Sequence, residues 1–464
     1  MSLKLYNSLK RDIEHFTPII DGKVGLYTCG PTVYDYSHIG NFRTFIFEDL
    51  LKRWLMHLGY DVNHIMNITD IDDKTIKKAI DQGVNLSEIT NKYSKYFFND
   101  LSWLKILPAN AYPRATDHIT DMIQMIKILI EKGFAYCQDD GSVYFDIQSF
   151  PKYGSLTRIK LSKQVSSERI VDDEYDKDSP QDFVLWKAWK ENDGNIFWDS
   201  PWGKGRPGWH IECSVMSTNA LGEHFDIHCG GIDNMFPHHE NEIAQSQCAH
   251  DSPFVNFWLH SEHLMVDGGK MSKSIGNFYS ISDLKKLGFT PECVRFQLLS
   301  GHYRSKINFS INKKHEGDRI VRKISEFHDR LGKKNASEYA NNSYPPEYIE
   351  FKNNMNNDLD VPKSLAVFFD WMKIINSKID KGSINNDDLG EAWEFLTVFD
   401  SIFGFIKTIK IENIPKGIKN QLEERKKARE NNDWKKSDLI RDALRKTGWI
   451  VEDTKEGQSV KKKD

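Results

Sequence analysis

The stretch VGLYTCGPTVYDYSHIGN, residues 24–41, decides the fold class of this chain. Its first five residues predict a buried strand, and Cys29-Gly30-Pro31 predicts a tight turn after it. From His38 onwards apolar residues recur at helical spacing, and Gly59 is typical of the end of such a helix. Residues 62–68 predict the next strand. This order of elements predicts an α/β fold that begins with a parallel, Rossmann-type sheet.

The middle of the chain predicts a second half of this sheet, separated from the first half by an insertion. Residues 71–205 alternate helical patterns with short strands such as 142–145, and we interpret part of this stretch as the insertion. Residues 225–228 predict a strand of the second half, which Cys229-Gly230-Gly231 and a helix from about Pro237 follow. The sheet is therefore expected to be assembled from two separated parts of the chain.

The last third of the chain predicts mainly helices. Residues 291–405 have helical patterns, which a polar loop at 332–346 interrupts. Pro415 indicates a further boundary, because proline commonly lies just outside helices. Beyond it we expect one highly charged helix over 422–446 and a short strand at 449–451.

The composition indicates a globular protein with a substantial core. The chain has 464 residues, of which 39% are hydrophobic and 28% are charged. This length suggests about three domains. The mean hydropathy is -0.57, and the sequence contains neither an apolar run that could span a bilayer nor a recognisable signal peptide. We therefore expect a cytoplasmic protein without a membrane partner.

Charge and cysteine content narrow the class of site. The net charge of -4 gives no overall basic signal for nucleic acid, although basic residues on one face can still bind RNA. In a long cytosolic chain, cysteines are expected to bind metal, to take part in catalysis or to be buried, rather than to form disulfides. The six cysteines are Cys29, Cys137, Cys213, Cys229, Cys248 and Cys293. We interpret the last two and Cys137 as ordinary core or surface thiols.

A second signature, KMSKS from Lys270 to Ser274, belongs with the helix start at His38. A helix N-terminus presents unpaired N–H groups to phosphate, the histidine can donate a hydrogen bond there, and Gly40 lets the backbone approach a nucleotide. Lys270 and Lys273 supply mobile positive charge. Each motif alone is also consistent with an ordinary helix start or a solvated loop, whereas the pair indicates a nucleotide site.

Four dispersed residues form a plausible zinc set, namely Cys29, Cys213, His238 and Glu242. His238 and Glu242 are four residues apart in a helical pattern and therefore share a face. Strand and helix ends converge at the carboxyl edge of a parallel sheet, where the two cysteines can join them. Two thiolates, an imidazole and a carboxylate suit zinc. Spacing alone does not exclude the competing donors His210, His224, His228, Cys229, His239 and Glu240.

Several ordered stretches give the chain a specific resemblance to a known family. They are YTCGPTVYDYSHIGN (27–41), NITDIDDK (67–74), GRPGWHIECSVM (205–216), FPHHENEIAQS (236–246), KMSKS (270–274) and SGHYRS (300–305). In this order they resemble cysteinyl-tRNA synthetases, class I enzymes that use ATP to join cysteine to tRNA. The resemblance is continuous from about residue 20 to 310, is looser through the helical region, and returns at GWIVED, residues 448–453.

The resemblance implies a class I Rossmann-type catalytic domain with a connective insertion, followed by an α-helical bundle and a small C-terminal anticodon-binding domain. We place the first half of the catalytic domain at 1–110 and the insertion at 111–205. The second half with the KMSKS loop is placed at 206–310, the bundle at 311–410 and the anticodon-binding domain at 411–464. The implied substrates are L-cysteine, ATP with Mg²⁺, and tRNA(Cys), and the implied state is a monomer.

The resemblance also implies roles for individual residues. Zinc, one ion per chain, is implied at Cys29, Cys213, His238 and Glu242, where it coordinates the thiol of the substrate cysteine. Catalytic roles are implied for His38, Asn41, Lys270 and Lys273. ATP contacts are implied for these four and for Gly40, Gly230, Gly231, Asp233 and Ser272. Contacts to the substrate cysteine are implied for Gly30, Thr32, Thr69, Trp209 and His228.

Zinc would account for the choice of cysteine over serine. The two side chains are nearly isosteric, so the shape of a pocket rejects serine only weakly. A thiolate is a good zinc ligand, whereas a neutral hydroxyl is a poor one. We therefore expect an enzyme that needs no editing domain.

The chain departs from the family pattern at three places. Asn41 stands where the first signature usually has histidine, and asparagine cannot become cationic. We expect nucleotide binding to be largely retained and activation to be somewhat slowed. Cys229 stands where glycine is more frequent, and it is either a bystander or an extra reactive thiol. Residues 458–463 lack the expected aromatic residue and arginine, so this end is either a lysine run that binds phosphate nonspecifically or a solvated tail.

Two other functions fit parts of the sequence. A cysteine ligase of the same superfamily, which joins cysteinyl-adenylate to an aminosugar, shares the zinc and nucleotide motifs but lacks a full anticodon region. About 150 residues follow residue 310 here, which favours tRNA, although acidic residues interrupt the basic positions near the C-terminus. The other alternative is a non-catalytic, zinc-stabilised RNA-binding protein, against which the intact KMSKS signature argues.

Overall fold

The computed structural model describes residues 2–159, 181–271, 276–407, 415–431, 433–454 and 457–462. Contacts divide the chain into two compact units, residues 1–406 and 407–464. The strands are β1 Lys4–Asn7, β2 Asp12–His15, β3 Lys23–Thr28, β4 Asp61–Met66, β5 Ala135–Cys137, β6 Val143–Phe145, β7 Phe183–Ala188, β8 Trp198–Ser200, β9 Gly203–Pro207, β10 Phe225–Gly231, β11 Val255–Ser261, β12 Leu264–Val266, β13 Gly269–Lys270, β14 Ile307–Phe309, β15 Trp449–Thr454 and β16 Gly457–Lys462. The α-helices are α1 Ile39–His57, α2 Asp73–Gln82, α3 Leu86–Trp103, α4 Ile119–Glu131, α5 Trp209–Leu221, α6 His238–His250, α7 Ile281–Lys286, α8 Pro291–Leu299, α9 Lys314–Gly332, α10 Pro346–Met355, α11 Val361–Lys381, α12 Asn386–Phe403, α13 Lys416–Glu430 and α14 Trp434–Lys446.

The centre of the first unit is a four-stranded parallel sheet in the order β11-β10-β3-β4. Tyr27 of β3 pairs with Ile65 of β4 on one side and with His228 of β10 on the other. Helix α1 connects β3 to β4 and α6 connects β10 to β11, which are the crossovers that parallel neighbours need. All residues of β10 are buried, as expected for a central strand covered on both faces. The prediction of a parallel sheet built from two separated parts of the chain is confirmed.

Helix α1 has the predicted pattern of buried residues. It begins after His38, and Phe42 and Trp54 on it are completely buried. Gly59, just beyond its end, has a φ of 92°, which favours glycine. The strand predicted at 225–228 is longer than expected, because its main-chain pairing with β11 continues to Gly231.

Besides the two-stranded sheet β1-β2, the described part of the first unit contains a five-stranded and a three-stranded sheet. The first is antiparallel, has the strand order β5-β6-β7-β9-β8, and contains β6 where residues 142–145 predict a strand. The segment after β6 is fastened to α6, because the carboxylate of Glu240 accepts hydrogen bonds from the N–H groups of Gly154 and Thr157 at 2.8 and 2.9 Å. The second sheet, β13-β12-β14, carries Lys270 in its edge strand.

The last part of the first unit is mainly helical, as residues 291–405 predict. Helices α8 to α12 fall within this range, and the only strand there in the described part of the chain is β14. The loop predicted at 332–346 is also present, since α9 ends at Gly332 and α10 starts at Pro346, with one 3₁₀ turn between them. None of the helices in the described ranges is long and apolar enough to cross a membrane.

The C-terminal end of α12 is held by three cations, Arg53, Lys105 and Arg295, which we call the carbonyl clamp. Cations near a helix C-terminus stabilise the exposed carbonyl oxygens. The carboxylate of Asp49 accepts a hydrogen bond from each of the two arginines at 2.8 Å and so balances part of their charge. The clamp contacts are Arg53 Nη1 to Ser401 O at 2.7 Å, Arg295 Nε to Phe403 O at 2.7 Å, Lys105 Nζ to Gly404 O at 3.4 Å and Lys105 Nζ to Ile406 O at 3.0 Å.

The second unit contains two helices and a hairpin in the residues that the structure describes. The prediction of one helix over 422–446 is wrong, because α13 ends at Glu430 and a separate helix, α14, starts at Trp434. The Asp433 carboxylate accepts a hydrogen bond from Lys436 N at 3.0 Å and so starts a new helix, a common use of aspartate. The strand predicted at 449–451 is confirmed as part of β15. Residues 458–462 lie in β16, which pairs with β15, so this end of the chain forms a strand that the sequence does not predict.

Candidate functional site

One strand end and two helices bring four predicted metal donors together. Cys29 follows β3, Cys213 lies on α5, and His238 and Glu242 lie on α6. Their donor atoms are all within 4.8 Å of one another. His238 Nε2 is 3.4 Å from Cys213 Sγ and 3.1 Å from Glu242 Oε1, and Cys29 Sγ is 4.0 Å from Glu242 Oε1. Ligands around a tetrahedral zinc ion are about 3.3–3.8 Å apart, so one ion fits this group, which we call the Cys213 set.

The electrostatics of the Cys213 set follow from its burial. Cys29 is 9% exposed and the other three donors 1% or less. Burial raises the pKa of the Cys29 thiol well above its usual range, and the adjacent Cys213 raises it further. Burial also lowers the pKa of His238 to about 3, against the opposing effect of Glu242. The imidazole is therefore neutral with a lone pair to donate, and a cation at the site would favour loss of the thiol protons.

Cys29 and Glu242 also belong to a second donor group, completed by His228 and His239, which we call the His239 set. His239 Nε2 is 3.4 Å from Cys29 Sγ, and His228 Nε2 is 2.9 Å from Glu242 Oε2. The sequence indicates His239 only as a competing donor. The sequence does contain a signal for His239. Glu242 is four residues after His238 and three after His239, and residues at either spacing are neighbours on a helix surface.

The loops after β3 and β4 carry three of the residues implied to contact cysteine. Thr32 and Thr69 pair with each other as an isolated parallel bridge. Gly30 N donates a hydrogen bond to Asn67 Oδ1 at 2.8 Å, and a Cβ on Gly30 would lie 1.7 Å from Asn67 O. Sequence analysis missed Asn67, which also donates to Thr69 Oγ1 at 3.1 Å. Asn67 therefore joins the two loops.

The other two residues implied to contact cysteine lie beside the Cys213 set. Trp209 is the first residue of α5, and its ring centroid is 4.2 Å from that of His238. His228 stacks on Trp258 with 4.5 Å between the ring centroids, and its Nε2 faces Glu242. Each of these two rings thus contacts a donor residue of the Cys213 set.

The start of α1 is closed by a reciprocal cap. Asn41 N donates to His38 Nδ1 at 3.3 Å, and His38 N donates to Asn41 Oδ1 at 3.0 Å. Because Nδ1 accepts a hydrogen bond, a neutral His38 ring carries its proton on Nε2. The sequence does not predict this use of Asn41, whose side-chain oxygen satisfies an unpaired N–H group at the helix start.

Met271 of the KMSKS signature, together with Phe278 and Ser280 after it, lies against the start of α1. His38 pairs with Ser280 as an isolated antiparallel bridge, and its ring centroid is 4.8 Å from that of Phe278. A Cβ on Gly40 would lie 2.5 Å from Met271 Cε. The absence of a side chain at Gly40 therefore allows Met271 to approach the start of α1 closely. The sequence by itself assigns Gly40 only to the approach of a nucleotide.

The remaining predicted nucleotide residues are described to different extents. The backbone of Lys270 lies in β13, whereas Ser272 and Lys273 lie outside the described residues. Gly230 and Gly231 end β10 at the carboxyl edge of the sheet. Side chains there would collide with their surroundings, since a Cβ on Gly231 would lie 2.4 Å from Asp233 Oδ1 and one on Gly230 2.7 Å from His239 Cε1.

Cys229 is a core residue. Its side chain is 0% exposed and packs in the apolar cluster around α1. Burial raises the pKa of this thiol well above its usual range. These findings favour the bystander interpretation over a reactive thiol, because the thiolate is the reactive form.

Three family models match successive parts of the chain. Residues 15–319 match the tRNA synthetases class I (C) catalytic domain, residues 350–407 the DALR domain, and residues 412–460 the cysteinyl-tRNA ligase anticodon binding domain. The first match covers more than half of the chain. The predicted fold class, a class I Rossmann-type domain followed by a helical part and an anticodon-binding domain, is therefore confirmed.

Solved structures share this fold at low sequence identity. Methionyl-tRNA synthetase from Mycobacterium tuberculosis, bound by methionyl-adenylate, has a TM-score of 0.59 and 13% identity over 86% of this chain and 94% of that chain. A LeuRS from Agrobacterium radiobacter K84, in a ternary complex with tRNA and LeuAMS, has a TM-score of 0.60 and 11% identity over 84% of this chain and 85% of that chain. These likenesses concern the fold alone.

Curated relatives are far more similar and span the whole chain. The cysteine–tRNA ligase of Chlamydia muridarum is 47% identical and covers 100% of both chains. The cysteine–tRNA ligases of Chlamydia abortus and Protochlamydia amoebophila are 46% and 44% identical, and each alignment covers 99% of this chain and 98% of the relative. With both signatures in one unit and these full-length matches, the chain belongs to the cysteine–tRNA ligase family of class I aminoacyl-tRNA synthetases.

Proposed function

We propose that this protein joins L-cysteine to tRNA(Cys) in two steps. In the first, the cysteine carboxylate attacks the α-phosphorus of ATP, cysteinyl-adenylate forms and pyrophosphate leaves. In the second, a hydroxyl at the 3′ end of the tRNA attacks the carbonyl carbon of the adenylate, and AMP leaves. The observation that carries this proposal is the buried group of two thiols, an imidazole and a carboxylate at the sheet edge that precedes the His38 helix start.

The Cys213 set is proposed to hold one zinc ion, in preference to the His239 set. Both sets contain an imidazole and a carboxylate, but only the first contains two thiols, and thiolates favour zinc. Bound zinc would supply a Lewis-acidic position for the substrate thiolate. His239 would then donate its Nε2 hydrogen to the Cys29 thiolate, which lies 3.4 Å away. This donation would partly offset the negative charge of two buried thiolates.

Rejection of serine is proposed to follow from the same donors. A serine hydroxyl is about the size of a thiol but stays protonated near pH 7 and is a weak zinc ligand. An added or missing methylene separates substrates by only about 10–200-fold in a purely apolar pocket, so shape is insufficient here. The protein therefore needs no editing activity, and substantial release of free serine from seryl-adenylate or mischarged tRNA would contradict this.

His38 and Asn41 are proposed to serve the nucleotide. His38 Nε2 would donate its hydrogen to the phosphates of ATP, because Nδ1 accepts from Asn41 N in the cap, and the positive end of the α1 dipole would add to this anion site. Asn41 uses its oxygen for the cap, so its amide nitrogen is the atom that remains for the nucleotide. Activation depends mainly on stabilising the negative charge that develops on the phosphates.

The other nucleotide residues are proposed from the family signature. Lys270, Ser272 and Lys273 would contact the phosphates, together with Mg²⁺ bound to ATP. Gly230 and Gly231 would let the backbone approach the adenosine, and the exposed Asp233 would contact it. Gly40, closely approached by Met271, would allow the KMSKS segment to close over the nucleotide.

The cysteine pocket is proposed to lie between the Cys213 set and the two joined loops. Gly30, Thr32 and Thr69 would line one side of the substrate, where Asn67 fixes their spacing. Trp209 and His228 would line the other side, each in contact with a donor residue. The pocket would thus accept a small side chain that ends in sulfur.

The domain organisation is proposed as follows. The catalytic halves span 1–110 and 206–310, with a connective insertion at 111–205. A helical bundle at 311–410 and an anticodon-binding domain at 411–464 would provide the recognition of tRNA(Cys), and the protein would act as a monomer. The match of residues 412–460 to an anticodon-binding model supports tRNA as the acceptor over an aminosugar.

The test is ATP-dependent transfer of labelled cysteine to total tRNA with Mg²⁺, with serine and an aminosugar acceptor in parallel reactions. Cysteinyl-tRNA formation that stops after zinc removal and resumes after zinc is restored is the expected result. Adenylate formation without tRNA charging would contradict the proposal and indicate the aminosugar ligase. Binding of tRNA without any ATP-dependent chemistry would also contradict it.

A further inference from the structure

Two tyrosines expose their rings beside the start of α1, and the proposed function does not use them. Tyr36 lies in the loop between Cys29 and His38, and Tyr96 lies on α3. Their exposed fractions are 40% and 41%, high for large aromatic side chains. We call Tyr36 and Tyr96 the tyrosine platform.

The platform is held in place from below. The ring centroids of Tyr36 and Tyr96 are 4.8 Å apart with an interplanar angle of 58°. The ring of Tyr93, which is 6% exposed, meets Tyr36 edge to face with 5.4 Å between centroids. Aromatic pairs at such distances are attractive, so the two exposed rings are fixed without being covered.

Lysines of α2 and α3 lie over the rings of Tyr93 and Tyr34, next to the platform. Lys78 Nζ is 4.7 Å and Lys92 Nζ 5.3 Å from the ring centroid of Tyr93, and Lys95 is also exposed next to Tyr96 in the sequence. Lys74 Nζ lies 5.9 Å from the centroid of Tyr34.

One of these lysines has a carboxylate partner, and other nearby carboxylates pair with cations outside this group. Asp73 forms ion pairs with both Lys187 and Arg206, which belong to the antiparallel sheet. Asp81 is 3.1 Å from Lys77. Asp35 is 3.4 Å from Lys78, so one lysine of the group has a direct counter-ion, while Lys92 and Lys95 extend the positive surface.

The platform lies on the outer wall of the proposed active site. Val33 N donates to Thr69 O at 3.1 Å, which ties its loop to the cysteine pocket. Tyr36 precedes His38 by two residues, so the chain passes directly from the platform to the nucleotide-binding helix start. A flexible strand that crosses the platform would therefore reach the site where cysteinyl-adenylate forms.

We propose that the tyrosine platform binds the unpaired 3′ end of tRNA, with its bases stacked on Tyr36 and Tyr96 and its phosphates near Lys92 and Lys95. Exposed aromatic rings next to lysines are the means by which proteins bind single-stranded nucleic acid. Two rings accommodate about two unstacked bases, which only an unpaired segment can present. This inference rests on the proposed function, because that function supplies the tRNA.

The test compares Tyr96→Ala with Tyr96→Phe and with Tyr339→Ala, a tyrosine of similar exposure (37%) near the end of α9. Preformed cysteinyl-adenylate is mixed with tRNA, and the single-turnover rate of transfer is measured. Loss of one stacked base is expected to slow transfer or weaken tRNA binding about tenfold in Tyr96→Ala. Tyr96→Phe keeps the ring and is expected to stay within about twofold of the original protein, as is Tyr339→Ala.

Cysteine-dependent ATP–pyrophosphate exchange, measured without tRNA, separates this inference from the proposed function. Exchange and charging by the unaltered protein test the proposed function alone. If both occur and Tyr96→Ala transfers cysteine at the original rate, the platform proposal is overturned and the proposed function stands. A Tyr96→Ala protein that loses exchange to the same extent as transfer would also overturn it, since the defect would then lie in the active site itself.

A second measurement shortens the tRNA and so removes the bases that the platform is proposed to bind. The dissociation constant is measured for intact tRNA and for tRNA that lacks its last unpaired nucleotides. The unaltered protein is expected to bind the shortened tRNA about tenfold more weakly, whereas Tyr96→Ala, which keeps only the ring of Tyr36, is expected to show a clearly smaller difference between the two forms. The same preference for intact tRNA in both proteins would overturn the proposal.

Discussion

The Cys213 set and the start of α1 lie at the same edge of one sheet but are built in opposite ways. The donor residues come from three distant segments, and Glu242 and Cys213 are almost completely buried. The start of α1 is built locally, from a cap between His38 and Asn41, and Asn41 is exposed. Under the proposed function, the comparison teaches that selection of the amino acid would depend on a buried core, whereas nucleotide binding would depend on groups that solvent and a neighbouring loop can reach.

The two regions therefore differ in what a substitution should disturb. A change in the buried set removes a metal ligand and leaves charged or polar groups without partners in a medium of low polarity. A change at the helix start alters one or two hydrogen bonds that water can replace in part. Effects on the buried set should be large and those at the helix start graded.

The largest effect is expected for Cys213→Ser. Serine keeps the size of the side chain but removes one thiolate, so we expect the bound zinc to be lost and cysteine-dependent pyrophosphate exchange to fall about 100-fold or more. Metal analysis of the purified protein, together with the exchange assay, measures both consequences.

The matched control for this substitution is His239→Asn, which removes a donor of the His239 set only. It is expected to retain one zinc ion per chain while changing activity less. A Cys213→Ser protein that keeps its zinc, or a His239→Asn protein that loses it, would show that the metal uses the His239 set.

The next effect concerns the stability of the two loops that Asn67 joins. Gly30→Ala places a Cβ 1.7 Å from the main-chain oxygen of Asn67, which cannot move aside as a flexible side chain can. We expect the free energy of unfolding to fall by about 3 kcal/mol. Urea denaturation measures it. Gly332→Ala, where nothing lies within 4 Å of the added carbon, is the control and is expected to be nearly neutral.

A smaller effect is expected at Asn41. Asn41→His restores a side chain that can become cationic, and hydrogen bonds from charged donors are about twice as strong as neutral ones. We expect cysteine activation to become several-fold faster with little change in the KM for ATP. Pre-steady-state formation of the adenylate measures this rate, and an unchanged or lower rate in Asn41→His would contradict the assignment.

The smallest effect concerns thiol reactivity outside both regions. All six cysteines are free, and only Cys137 is exposed. Burial, with Asp140 and Asp139 nearby, raises its pKa, so less thiolate is present at a given pH than in a free peptide. Iodoacetamide is expected to label Cys137 alone in the native protein, more slowly than a model thiol, and faster as pH rises. Peptide mapping that found label on Cys229 would contradict its burial.

Local patterns in the sequence predicted the elements whose signals are local. The strand before Cys29, helix α1 and its end at Gly59 all depend on neighbours within a few residues. The break between α13 and α14 depends on a single capping aspartate within a charged stretch, so the periodicity of charge concealed it. The sequence of β16, GQSVKK, contains a single large apolar residue, Val460, so its pairing with β15 gave no periodic signal.

The donor groups mark the limit of sequence reasoning about the site. Spacing along α6 indicated that His238 and Glu242 share a face, but it cannot tell which strand end faces them. His239 approaches Cys29, and His228 approaches Glu242, through the tertiary packing of α6 against β3 and β10, which spacing along the chain does not specify. Asn67 carried no signal, because its side-chain oxygen accepts from a backbone N–H group of the loop after β3, which is distant in the sequence.

The carbonyl clamp also indicates a position at which this chain could be joined to a different C-terminal domain. Arg53, Lys105 and Arg295 belong to the first unit and hold main-chain oxygens as far as Ile406. The last residues of the first unit are thus held by side chains that all come before Ile406 in the sequence. A chimaera joined just after Ile406 would exchange the downstream domain while its point of attachment kept every one of these anchors.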